Sequence, residues 1–202
     1  MNKVGIMGGT FNPVHNGHLF LAENTREQAA LDKVLFMPSK NPPHKAIMSE
    51  VTEQQRVDMV RLAIKDNPYF ELSEFELMRD GYTYTADTLK LLTNENPDVQ
   101  YYFIVGTDSL FMMQKWYQPQ TVFDLCTIAV AGREQAKEKE ILQHIECLKK
   151  EYDAKIIYIN MPMIDIASES IRKRFTEEKS VKYYLPDTVI EYIREKKLYA
   201  AK

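Results

Sequence analysis

The chain has 202 residues, 45% of them hydrophobic, which is enough to fill the core of one ordinary domain. Its 26 Lys and Arg stand against 29 Asp and Glu, a formal charge of -3, so no overall positive field draws in nucleic acid or an anionic membrane, and any anion site must be local. Cys126 and Cys147 are too few for a disulfide framework or a cysteine-rich zinc site, and no apolar run reaches the length of a membrane span.

In chain order, Val4 to Met7 reads as a short buried strand that ends at Gly8-Gly9. This early strand argues against a signal peptide, and a cytoplasmic globular protein is expected. His18 to Ala30 is predicted as a helix, Val34 to Met37 as a second buried strand closed by Pro38, and Ser39 to Ser49 as a Pro-containing loop. Thr52 and Gln55 form a capping box before a helix over Glu53 to Lys65. Phe70 to Leu77 alternates in part and is placed near a sheet edge, and Thr85 to Thr93 is helical. Tyr101 to Val105 is a buried strand ending in Gly106, followed by a short helix from Ser109 to Lys115. Thr127 to Ala131 is a strand, Gln135 to Lys150 a charged helix, and Ile156 to Ile159 the last clear strand. Helices close the chain at about Ser168 to Phe175 and Pro186 to Lys196.

Strands alternating with helices predict an α/β fold, a Rossmann-like doubly wound parallel sheet with helices on both faces. The chain reads as one domain over 1–202, with a small C-terminal helical part packed on it from about residue 166. In such sheets ligands bind beyond the carboxyl ends of the strands, where strand order reverses. Gly8-Gly9, Pro38 and Gly106 all follow strands and are therefore expected to share one cleft.

The stretch GGTFNPVHNGH, residues 8 to 18, carries the most chemistry. Its glycines let backbone approach a ligand, and Asn12-Pro13 favours a turn. His15 and His18 share a face if helical, with the small Gly17 between them. A helix N-terminus attracts phosphate, and Thr10 adds a hydroxyl, so the stretch reads as a phosphate cradle with two imidazole donors. An isolated H-x-G-H is more often a cap or a surface feature, and no third ligand supports a zinc site. The pattern is neither G-x-G-x-x-G nor a P-loop.

The full string resembles the G-G-[TS]-F-[DN]-P-x-H-x-G-H signature of the nucleotidylyltransferases. Ile166 to Arg172, IASESIR, is similar to their C-terminal I-S-S-T-x-I-R segment. Pro42 to Lys45, Tyr82 to Thr88, Ile104 to Ser109 and Lys115 to Gln118 resemble the nicotinate-mononucleotide adenylyltransferase branch, so the likeness spans essentially the whole chain. It implies adenylyl transfer from ATP to nicotinate mononucleotide, giving deamido-NAD (nicotinate adenine dinucleotide) and pyrophosphate by direct in-line attack. It also implies that His15, His18 and Arg172 carry catalysis, with His18 on the α-phosphoryl group and Arg172 on the β- and γ-phosphates. Gly8, Gly9, Thr10 and Phe11 would line the junction of acceptor and ATP. Gly106 and Asp108 would contact the ATP ribose, with Ser168, Ser170 and Arg133 near ATP. Trp116 would stack on the nicotinate ring, the N–H groups of Thr85 and Tyr117 would take its carboxylate, and Lys45 would reach the mononucleotide phosphate.

Mg²⁺ is expected to ride on the ATP phosphates, without a metal site on the protein itself. Taken alone, Arg172 also fits a surface arginine, Trp116 a core anchor, Asp108 a helix cap and Lys45 a solvated loop lysine. Ser168 is expected to cap its helix. Ala167 and Glu169 depart from the family segment, and a carboxylate there either repels triphosphate or points outward and favours the helix dipole. Another nucleotidylyltransferase, such as a pantetheine-phosphate adenylyltransferase, and a non-catalytic nucleotide-sensing module are the alternatives. Partners are therefore small molecules, with no nucleic acid and no membrane, and a homodimer is left open.

Overall fold

The structure is a computed structural model that describes residues 2–40, 51–131, 138–162 and 164–200. Among these residues, six strands form one all-parallel sheet in the order β3-β2-β1-β4-β5-β6. The strands are β1 (Asn2–Gly9), β2 (Lys33–Pro38), β3 (Phe70–Leu72), β4 (Val99–Gly106), β5 (Cys126–Ala131) and β6 (Ile156–Ile159). Eight α-helices accompany them: α1 (Asn16–Ala29), α2 (Glu53–Ile64), α3 (Thr85–Glu95), α4 (Thr107–Met112), α5 (Pro119–Leu125), α6 (Glu138–Tyr152), α7 (Ser168–Thr176) and α8 (Asp187–Glu195). No helix among the described residues is long and apolar enough to cross a membrane.

Period-two alternation sends each strand's side chains into two separate cores. Met7, Val34, Phe36, Ile104, Ala129 and Ile159 share one core with buried residues of α1, α2, α7 and α8. Val4, Ile6, Met37, Val105, Ile128 and Val130 share the other with α3, α4, α5 and α6. The sheet is thus covered on both faces, as the alternation of elements predicts. Strand order reverses between β1 and β4, and the carboxyl ends of these two central strands open the cleft.

Several boundaries differ from the sequence expectation. Gly8 and Gly9 are not a turn after β1; they are paired into it, opposite Met37 and Pro38, because the parallel ladder with β2 continues to its end. α1 starts at Asn16, not His18, with His15 as its N-cap. β3 stops at Leu72, short of Leu77, although it is an edge strand as expected. α5 was not expected; Pro119 at its first position is the signal that marks it. The capping box of Thr52 and Gln55 is present at α2.

Gly5 shows how tightly the central strand is packed. A Cβ there would lie 2.9 Å from Leu31 Cδ1, 3.1 Å from Val34 Cγ2 and 3.2 Å from Ile104 Cδ1. Gly5→Val should therefore destabilise the fold by about 2 kcal/mol through overpacking. The check is a lowered urea midpoint at an unchanged slope.

Candidate active site

Gly8 is exposed although it belongs to a central strand, so among the described residues the carboxyl end of β1 is open where strand order reverses. The chain leaves the strand through Thr10, Phe11 and Asn12, takes a cis bond into Pro13, and reaches His15. His15 is buried at 4% exposure and caps α1 with extended backbone. His18, at the third helical position, stacks on it with ring centroids 3.7 Å apart and planes 29° apart. The His15 backbone N–H donates to His18 Nδ1 at 3.2 Å, which is the return half of a capping box. An acceptor at Nδ1 leaves the proton of the neutral imidazole on Nε2, as a donor on the opposite edge of the ring. Gly17 must be small: a Cβ there would sit 3.0 Å from His15 Nδ1 and 3.2 Å from its Cε1.

Phe11 has φ 49°, a left-handed conformation unfavourable for an aromatic L-residue by roughly 1–2 kcal/mol. Its side chain is 2% exposed, set edge-on to the His18 ring at 5.1 Å and tilted against Phe36. The Phe11 ring thus supports His18 from the core side, leaving only backbone to line the cleft at this position. Donors from far along the chain hold the turn. Arg56 Nη1 of α2 donates to the Thr10 carbonyl at 2.7 Å, and Arg172 Nη1 of α7 to the Asn12 carbonyl at 2.8 Å. The Tyr199 hydroxyl donates to Asn12 Oδ1. Farther on, Asn16 is tied through its backbone N–H and Nδ2 to the carbonyls of Tyr184 and Tyr183.

Arg56 is fully buried, and desolvation pulls its pKa below the usual arginine value, opposed by the charge of Glu53. Burial pushes the Tyr199 phenol well above its ordinary range, opposed by Arg172 and Arg56. The turn is therefore backed by two guanidinium groups and a phenol that stays a donor. Positive charge is concentrated here in a chain of net charge -3.

α7 corrects one expectation. Ser168 is not the cap: Ala167 holds the N-cap position in extended conformation, and Ser168 is the first helical residue. Its hydroxyl donates instead to the Pro13 carbonyl at 2.9 Å, which ties α7 to the histidine turn. The Ser170 hydroxyl donates to the Ala167 carbonyl at 2.7 Å, and Glu169 is exposed in the first turn. The structure thus brings Ser168 and Arg172 onto the same turn as His15 and His18.

The other side of the cleft comes from β4 and α3. Trp116 is half-buried and set edge-on to Phe103, with centroids 6.0 Å apart and planes at 88°. Phe103 Cζ in turn lies 3.4 Å from where a Cβ on Gly8 would stand. Trp116 therefore lies one ring away from the end of β1, packed against the core and still partly exposed. The Tyr84 and Tyr117 rings pack at 4.4 Å, which draws Tyr117 toward the N-terminus of α3, where Thr85 is the first residue. Thr85 has no helical acceptor for its N–H. Glu76 and Arg79 both bond the Thr88 hydroxyl, at 2.8 Å and 2.9 Å, and brace the same helix. Burial pushes the Glu76 carboxyl up.

Gly106 is the N-cap of α4, and Asp108 is exposed in its first turn rather than capping it, because that helix begins at Thr107. Lys45 and Arg133 lie outside the described residues. Sequence reasoning missed Arg56, Tyr199, Phe103 and Tyr84. Arg56 did carry a signal: it occupies the apolar stripe of α2 with Met59, Val60 and Ile64, a core position held by a cation. Tyr199 carried none.

Comparison with known proteins agrees with this geometry. The cytidylyltransferase-like family pattern matches residues 6–174. A protein of Lachnoclostridium phytofermentans named "Probable nicotinate-nucleotide adenylyltransferase" is 46% identical over 193 residues, covering 96% of each chain. One of the same name from Clostridium acetobutylicum is 37% identical, covering 98% of this chain and 100% of that protein. In fold, the chain is similar to Plasmodium falciparum nicotinic acid mononucleotide adenylyltransferase complexed with NaAD. The TM-score is 0.81, with 21% identity and 98% of each chain covered. With a matched pattern that runs from β1 into α7 and relatives alike over almost their full length, the chain belongs to the cytidylyltransferase-like family and groups with its nicotinate-nucleotide adenylyltransferases.

Proposed function

We infer that the chain transfers the adenylyl group of ATP to nicotinate mononucleotide, giving nicotinate adenine dinucleotide and pyrophosphate, as its relatives' names indicate. The observation that carries this reading is the stacked His15–His18 pair at the start of α1, on the turn that leaves β1 at the reversal of strand order. In the reaction a phosphate oxygen of the mononucleotide attacks the α-phosphorus in line. The bond from that phosphorus to its bridging oxygen breaks, and pyrophosphate leaves. No covalent enzyme intermediate is required, so the protein's task is positioning and charge stabilisation.

His18, with its proton on Nε2, is proposed to donate to the α-phosphoryl oxygens as charge builds there, with His15 beside it. Arg172 gives one N–H to the Asn12 carbonyl, and the rest of its fork is proposed to bind the β- and γ-phosphates. The first-turn N–H groups of α7 face no helical acceptor and suit the same anion. Gly8, Gly9 and Thr10 bring bare backbone to the junction of the two substrates. Gly106 and Asp108 are proposed for the ATP ribose. Mg²⁺ is proposed to arrive on the triphosphate, where it would neutralise charge, since magnesium favours phosphate oxygens and water.

On the acceptor side, Trp116 is proposed to stack on the nicotinate ring. The N–H groups of Thr85 and Tyr117 suit its carboxylate, and a nicotinamide would set its own N–H against theirs. Selection by mismatched polar groups reaches about 10⁴.

Purified protein with ATP and Mg²⁺ should release pyrophosphate with nicotinate mononucleotide and at least about 10²-fold less efficiently with nicotinamide mononucleotide. Release with phosphopantetheine in its place would overturn the acceptor assignment. His18→Ala should lose about 10²-fold or more in kcat, some 3 kcal/mol, with an unchanged circular dichroism spectrum. Trp116→Ala should raise the KM for nicotinate mononucleotide by about tenfold, the value of one aromatic stack, and change the KM for ATP little.

A further inference from the structure

The turn from Thr10 to Asn12 joins the open end of β1 to the histidine pair, and its acceptors take donors from other elements. The Thr10 carbonyl is held by Arg56, 46 positions away, and the Asn12 side chain by Tyr199, 187 positions away. Between them Phe11 sits in the left-handed region, a conformation that persists only where its surroundings enforce it. Phe11 also touches the His18 ring, so a shift of the turn becomes a shift of that imidazole.

Arg56 is costly to bury in this position. It is fully buried, its Nε and Nη2 find no acceptor among the described residues, and a desolvated cation with one partner is unfavourable against an apolar side chain of similar size. Tyr199 belongs to a C-terminal tail that doubles back after α8. Leu198 N–H bonds the Ile193 carbonyl at 2.9 Å, Lys197 and Tyr199 both have positive φ, and the Tyr199 ring packs near Phe175. The tail thus delivers one hydroxyl to one side-chain oxygen in the turn. Burial keeps that phenol protonated, and so a donor, through the neutral and mildly alkaline range.

We propose that Arg56 and Tyr199 are positioning residues for adenylyl transfer, which through Thr10 and Asn12 hold the turn that fixes His15 and His18. The idea rests on the function inferred above. It assigns the end of the chain a part in the chemistry at its beginning.

The test uses the full chain and four variants: Tyr199→Phe, Asn12→Ala, the double variant, and Arg56→Met. Hydrogen exchange of the substrate-free protein reads the positioning without reference to any reaction. Exchange across residues 10–18 should quicken by about tenfold in Tyr199→Phe and Arg56→Met, while that of β1 residues 3–7 stays as in the unaltered chain. In turnover, Tyr199→Phe should lower kcat by roughly five- to tenfold with both KM values within about twofold. In the Asn12→Ala background the same change should have no further effect, since the hydroxyl acts through that side chain. Arg56→Met should lower kcat while its thermal midpoint is retained or raised. The proposal is overturned if exchange at 10–18 is unaltered, if the Tyr199 and Asn12 effects multiply, or if Arg56→Met loses stability and activity in parallel. Absence of turnover in the unaltered chain would refute the inferred reaction, and the exchange result would still decide whether the clamp exists.

Discussion

Thr10, Phe11 and Asn12 leave the central strand through a left-handed residue, and donors from α2, α7 and the C-terminal tail hold that turn. The rest of the site inherits its geometry. His15 can cap α1 and stack on His18 only because the chain arrives at Asn16 from this direction. Ser168 reaches the Pro13 carbonyl and Arg172 the Asn12 carbonyl for the same reason. The strain of one residue is balanced by hydrogen bonds collected from most of the length of the chain, which join the site to the C-terminal segment.

Strand order places the two halves of the chemistry side by side. β1 and β4 are neighbours at the point where the winding reverses, so helices depart to opposite faces and neither covers the strand ends. Phe103 lies between these halves, with one edge toward Trp116 and its tip against Gly8. A larger residue at Gly8 would press on Phe103 and hence on Trp116 beyond it. The Tyr84–Tyr117 contact does the equivalent work for α3, bringing the first N–H of a helix toward the same opening. Two guanidinium groups, Arg56 and Arg172, stand behind the histidine turn, within a protein whose total charge is slightly negative.

The parts legible in advance were those governed by neighbours in sequence. The apolar runs that form β1, β2, β4, β5 and β6, the Thr52–Gln55 capping box and the alternation of strand and helix follow from local propensity and period, and the sheet bears them out. Boundaries governed by partners were misjudged. Gly8 and Gly9 read as a turn but are held in β1 by the ladder to β2. α5, seven residues long, has too few turns for a periodic signal and declares itself only by Pro119. Ser168 looks like a cap from its position, yet its hydroxyl goes to Pro13, 155 residues earlier.

The fold class and the histidine turn are legible from residues close in sequence, because glycines, a proline and two imidazoles within eleven positions constrain local backbone and chemistry together. The sequence also displayed, in Arg56 on the apolar stripe of α2, a charge that the core would not ordinarily accept. What that charge holds was decided by tertiary structure alone. A buried guanidinium can be satisfied by any carbonyl within reach, and which carbonyl comes within reach depends on how α2 docks on the sheet. Tyr199 is the limiting case. Nothing in its local sequence distinguishes it, and its contact with Asn12, spanning 187 positions, exists only in the assembled fold.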